Sequence, residues 1–75
     1  MSITAKTYLS SKQEIGEGDS RTVQITFLPD YSDERNKEWA FFTPALNLNM
    51  TVRGEVADQF LAGGKYTLSF SETTD

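Results

Sequence analysis

Cysteine and histidine are both absent from this 75-residue chain. Without cysteine no disulfide can staple the fold, and without either residue a zinc site lacks its thiolate and imidazole ligands. The same absences remove the commonest thiol nucleophile and the commonest general base, which points away from an enzyme. No run approaches the roughly 18 apolar residues that a membrane helix needs. Residues 1–9 lack the basic-then-apolar layout of a signal peptide, so the chain reads as soluble, cytoplasmic and without a membrane partner. A domain this small buries only about 60% of the surface its unfolded chain exposes. With no staple available, self-association into a homo-oligomer is the expected supplement.

Basic residues are in the minority, 7 against 11 acids, for a net charge of −4. That sign disfavours generic DNA or RNA binding, which depends on cationic contacts to phosphate. It leaves room for a small anion held by a local cluster of cations. The hydrophobic share of 37% and aromatic share of 12% suit a folded core.

What is present is mostly strand-like. Leu46, Leu48, Met50 and Val52 alternate with Asn47, Asn49, Thr51 and Arg53, as a half-buried strand requires. Tyr66, Leu68 and Phe70 alternate with Lys65, Thr67, Ser69 and Ser71 in the same way. Between them the period changes: Val56, Ala57, Phe60 and Leu61 fall at helical spacing over residues 55–62. Glu55 and Asp58 lie in the favoured first turn, and Gly63-Gly64 ends the helix. Ile3, Ala5, Thr7 and Leu9 share one side of a first strand. Val23, Ile25 and Phe27 face one way in a second strand over 22–28, which Pro29 ends. Residues 10–21, with Gly16 and Gly18, read as an acidic hairpin loop, and residues 31–37 as a charged loop. Residues 38–42 read as a short aromatic strand ended by Pro44.

The resulting expectation is one mainly β (α+β) domain over residues 1–70, with a flexible tail over 71–75. Its sheet is bent and antiparallel, with four to five strands, or is a partly open barrel. One short helix sits between the last two strands.

The densest feature is residues 36–43, Asn-Lys-Glu-Trp-Ala-Phe-Phe-Thr, which hold the single Trp and two of the five Phe. In a strand, Trp39 and Phe41 share one face and Ala40 and Phe42 the other, so both faces carry a large ring. Either Trp39 fills the core with Phe42 under the helix, or a surplus ring lies in a subunit interface or ligand pocket. Under the second reading Trp39 or Phe42 stacks on a base, and Arg35, Lys37 and Arg53 neutralise phosphates. Thr43 and Asn47 then read base edges. Asp30, Asp33, Glu34 and Glu38 read as a solvated acidic loop. They lack both a cleft for paired-carboxylate chemistry and the spacing of a calcium loop, so neither a metal nor a cofactor is expected.

From Asn36 onward the chain resembles a group of small bacteriophage-encoded proteins of uncharacterised function. The likeness covers a little over half the sequence. It rests on Asn36-Lys37-Glu38-Trp39, Thr43-Pro44, the Leu46/Leu48/Met50/Val52 alternation, Ala57, Phe60, and Gly64-Lys65-Tyr66 with Leu68 and Phe70. Arg53-Gly54-Glu55 departs from the pattern at the start of the helix. The resemblance implies a compact viral accessory protein in the host cytoplasm and brings no catalytic residues. Joined to the surplus rings, it frames the leading expectation of counter-defence sequestration of a small, cyclic nucleotide signal. The alternative is a module that inhibits a host protein or docks on phage components.

Overall fold

The computed structural model describes residues 3–73. Its elements are β1 (Ile3–Ile15), β2 (Thr22–Pro29), β3 (Leu48–Arg53), the single helical turn α1 (Gly54–Ala57) and β4 (Lys65–Phe70). Two 3-10 turns, Gly18–Ser20 and Glu34–Glu38, lie in the connections. The four strands make one antiparallel sheet in the order β3-β2-β1-β4, curled into a half-barrel with α1 between the last two strands. β1 pairs with both β2 and β4 and is therefore an inner strand.

The concave face carries the core. Leu9, Val23, Ile25, Phe27 and Ala57 are buried, and Leu48, Val52, Phe60 and Tyr66 pack against them. Phe27, Phe60 and Tyr66 meet edge to face, with centroids 5.3–5.9 Å apart, the arrangement favoured by the ring quadrupole.

The first strand is longer than its pattern implies: it runs to Ile15, so the connection expected over 10–21 shrinks to residues 16–21. The cause is a bulge at Ser10. Leu9 lies opposite Phe27 but Ser11 lies opposite Thr26, so the alternation slips by one residue. Inward positions pass from Ala5, Thr7 and Leu9 to Lys12 and Glu14, opposite Ile25 and Val23. Both are polar, which hides the strand from a hydrophobic count. Their polarity is used: Lys12 Nζ donates to the carbonyls of Ala57 (2.9 Å) and Phe60 (3.0 Å), satisfying the open end of α1.

The helix expected over 55–62 is one turn. The N–H groups of Gln59 and Phe60 donate to Val56 and Ala57, three residues back, and that of Leu61 donates to the Tyr66 hydroxyl at 2.8 Å. Of the four apolar residues at helical spacing, Val56 and Leu61 are exposed and only Ala57 and Phe60 turn to the core. The third strand begins at Leu48 rather than Leu46.

Residues 38–42 are not a strand. Glu34–Glu38 form a 3-10 turn, Trp39 closes it, and residues 40–47 have no regular structure. Local side chains outcompete the extended form here. Asp33 accepts the Arg35 N–H at 3.0 Å as an N-cap, and Asn36 anchors the turn to β1. Residues 71–73 are exposed and irregular, while 74 and 75 lie outside the described residues. No helix among the described residues is long and apolar enough to cross a membrane.

Candidate functional site

The connection from β2 to β3, residues 30–47, holds most of the candidate residues. It leaves the sheet at Asp30, whose N–H still donates to the Lys6 carbonyl at 2.9 Å. The Asp30 carboxylate is largely buried. One oxygen accepts from the Ser32 hydroxyl (2.7 Å) and N–H (3.1 Å), and the other pairs with Lys65 Nζ at 3.2 Å. The Ser32 hydroxyl, then Lys65, hold its pKa below the ordinary value of 3.8.

Asn36 is the keystone of the turn and is only 1% exposed. Its Oδ1 accepts from the Lys6 N–H (2.7 Å) and Trp39 Nε1 (3.1 Å), and its Nδ2 donates to the carbonyls of Lys6 (2.9 Å) and Asp30 (3.3 Å). All four hydrogen-bonding positions of the amide are filled. Trp39 is thereby fixed, half-buried, by its indole N–H rather than free to stack.

The two cations of the turn are already engaged. Arg35 grips Asp33 through Nε (3.0 Å) and Nη2 (2.8 Å), which lowers the Asp33 pKa to about 2 and raises that of Arg35. Lys37 Nζ lies 3.3 Å from Glu34.

Beyond Trp39 the chain turns its rings outward. Phe41 is 99% and Phe42 88% exposed, with centroids 5.9 Å apart at a tilt of 38°. They border an open cleft of about 610 Å³ that Tyr31, Asp33, Glu34, Lys37, Thr43 and Pro44 also line. Three aromatic rings and one proline beside internally paired charges suit an apolar group better than a phosphate.

Of the residues proposed from sequence, Lys37, Phe42 and Thr43 meet in this cleft, and Arg35 and Trp39 stand on the adjoining turn. Asn47 does not join them: its Oδ1 accepts from Asn49 Nδ2 at 2.9 Å, and Asn49 in turn accepts from Thr26 at 2.7 Å. Arg53 is at the far end of β3, opposite Thr22, and pairs with Glu55 at 3.5 Å. Five residues of strand, about 17 Å, separate it from the Leu48 end. Arg53 instead lines a second open cleft, of about 630 Å³, with Arg21 and Asp58. Arg21 there bridges Glu14 (3.0 Å) and Asp58 (3.1 Å) and Arg53 pairs with Glu55, so both cations are engaged and no ring lines the cleft. That cleft is a structural brace.

Tyr31, Asn36 and Pro44 are not among the site residues expected from the sequence, and Phe41 is named there only as sharing a strand face with Trp39. The adjacency of Phe41 and Phe42 is the available signal, because in an extended segment neighbouring side chains point to opposite faces and both cannot enter one core. Among the described residues no group of three or more acidic, Cys or His side chains could hold a metal. Comparison with protein-family models, curated proteins and solved structures returns no match.

Proposed function

We propose that this chain is a non-enzymatic binding protein whose contact element is the aromatic loop between β2 and β3, and that its partner is a polypeptide. The observation that carries the reading is the exposed Phe41–Phe42 pair. Two neighbouring rings held in water are costly unless something covers them, and aromatic side chains are the usual anchors of protein interfaces. With Asp33 and Glu34 already paired to Arg35 and Lys37, the rings rather than charge select the partner, which offers an apolar pocket. In line with the resemblance of residues 36–70, the setting we propose is a viral accessory protein in the host cytoplasm that blocks a host protein or docks on phage components. Affinity capture from infected-cell lysate tests it. A polypeptide retained by the native chain and lost with Phe41→Ala/Phe42→Ala supports the reading, and capture that ignores both rings removes it.

A second reading, sequestration of a cyclic nucleotide, is favoured by one observation: Tyr31, Phe41 and Phe42 surround a cleft that also holds Lys37. It ranks lower because Arg35 and Lys37 are already paired with acids and Arg53 is remote. Calorimetry against a panel of cyclic dinucleotides decides it, and the absence of heat at micromolar protein retires it.

A further inference from the structure

The chain is too open for its size. Its Cα radius of gyration is 14.2 Å, against about 11 Å for a compact domain of this length. Its accessible surface is 5724 Å², roughly 1,100 Å² more than the about 4,600 Å² usual for this mass. The excess exceeds the about 800 Å² that one partner contributes to a standard interface. The extents, 43 × 34 × 16 Å, describe a curved slab rather than a globule.

Part of that excess is apolar and lies at one edge of the sheet. Ile3 and Phe70 are opposite each other on β1 and β4 and are 55% and 57% exposed, with Leu68 half-buried beside them. β4 is an outermost strand. From Tyr66 to Ser71 it carries no charge and no proline, the features that ordinarily protect an edge from pairing.

The geometry points to a second copy of this chain as the occupant, joined β4 to β4 across a two-fold axis at Leu68. The backbone polarity fits. Leu9 N–H donates to the Gly64 carbonyl at 2.9 Å, so by antiparallel alternation Tyr66, Leu68 and Phe70 turn their peptide groups toward β1. Lys65, Thr67 and Ser69 then point theirs outward, free to bond a neighbour. In the register centred on Leu68, Thr67 meets Ser69 of the partner subunit and Lys65 meets Ser71 of the partner subunit, with bonds exchanged in both directions. Tyr66 meets Phe70 of the partner subunit, an aromatic cross-strand pair that covers the exposed Phe70 ring. No like charges are opposed. The strand is therefore self-complementary, as a two-fold interface demands. This interface is separate from the aromatic loop and does not depend on its partner.

Light scattering of the full chain after size exclusion tests the inference. The expected mass is twice the 8.4 kDa of the chain. Thr67→Pro, which removes an outward N–H without disturbing the β1 ladder, should give a folded monomer by circular dichroism and Trp39 fluorescence. Leu68→Cys should oxidise rapidly to a covalent dimer, and Thr51→Cys on the opposite edge should not. A monomeric native chain at every concentration overturns the inference. So does a Thr67→Pro chain that stays dimeric, which would place the contact on β3 or the aromatic loop. Should Thr67→Pro fail to fold, the cysteine pair decides alone, and equal cross-linking of both variants counts against the β4 edge.

Discussion

Asn36 and Lys6 hold each other twice: the Asn36 side-chain amide receives the Lys6 N–H at 2.7 Å and donates to the Lys6 carbonyl at 2.9 Å. A side chain thus continues the pairing of β1 beyond Pro29, the last residue of β2. It does for the backbone of β1 what another peptide of β2 would have done. The aromatic loop hangs from this point, since the same amide also binds Asp30 and Trp39.

Removing it has a definite cost. Asn36→Ala leaves the Lys6 N–H and the Trp39 indole N–H without their partner at a part-buried site. The expected destabilisation is about 3 kcal/mol by denaturant titration. Because Trp39 is the sole tryptophan, its emission should also shift to longer wavelength before global unfolding.

The aromatic loop should behave oppositely. Phe41→Ala/Phe42→Ala removes rings that touch almost nothing in the subunit, so stability should change by no more than about 0.5 kcal/mol. Partner capture should fall at least tenfold. A large loss of stability would mean that the rings support the fold, and would undercut the binding role.

Lys12→Ala tests the bulge. The ammonium group satisfies two carbonyls at the end of α1, and its loss should cost about 1 kcal/mol in a thermal or urea melt. Ser10 deletion should be the milder change, because Ser11 already lies opposite Thr26 and Lys12 opposite Ile25, so simple alternation from Leu9 keeps Lys12 and Glu14 on the concave face.

Acid should loosen the molecule in a defined window. Asp33 is held at about 2, and Asp30 and Asp58 also lie below the ordinary 3.8, through Arg35, Ser32 and Arg21 respectively. A carboxyl with a depressed folded pKa stabilises fully above its unfolded value and loses that contribution as pH falls toward the folded one. The melting temperature should therefore drop as pH falls from about 4 to about 2. Asp33→Asn should flatten part of that drop.

Three strands were legible in the sequence because each keeps one period and one wetted face: Val23/Ile25/Phe27, Leu48/Met50/Val52 and Tyr66/Leu68/Phe70. The half-barrel with one helical element before the last strand follows from those and the Gly63-Gly64 turn. The second half of β1 was hidden because a bulge shifts its alternation and puts the charged Lys12 and Glu14 at the positions that face the concave side. The aromatic segment was misread as a strand because its fate depends on Asn36, whose partner lies 30 residues away on β1. No local pattern carries that information. The site was legible as a region, through its clustered rings, but not in its charges. Nothing in the order of residues says that Arg35 grips Asp33 or that Arg53 stands at the other end of a strand.

The strand order has a consequence for biosynthesis. β1 leaves the ribosome first, yet one of its two neighbours, β4, leaves last. Until Lys65–Phe70 emerge, the Ala5 and Thr7 flank of β1 waits without hydrogen-bond partners. A chain stopped short of Lys65 therefore loses the wall of an interior strand rather than a dispensable fringe, and late truncations should be degraded rather than accumulate as trimmed, working protein.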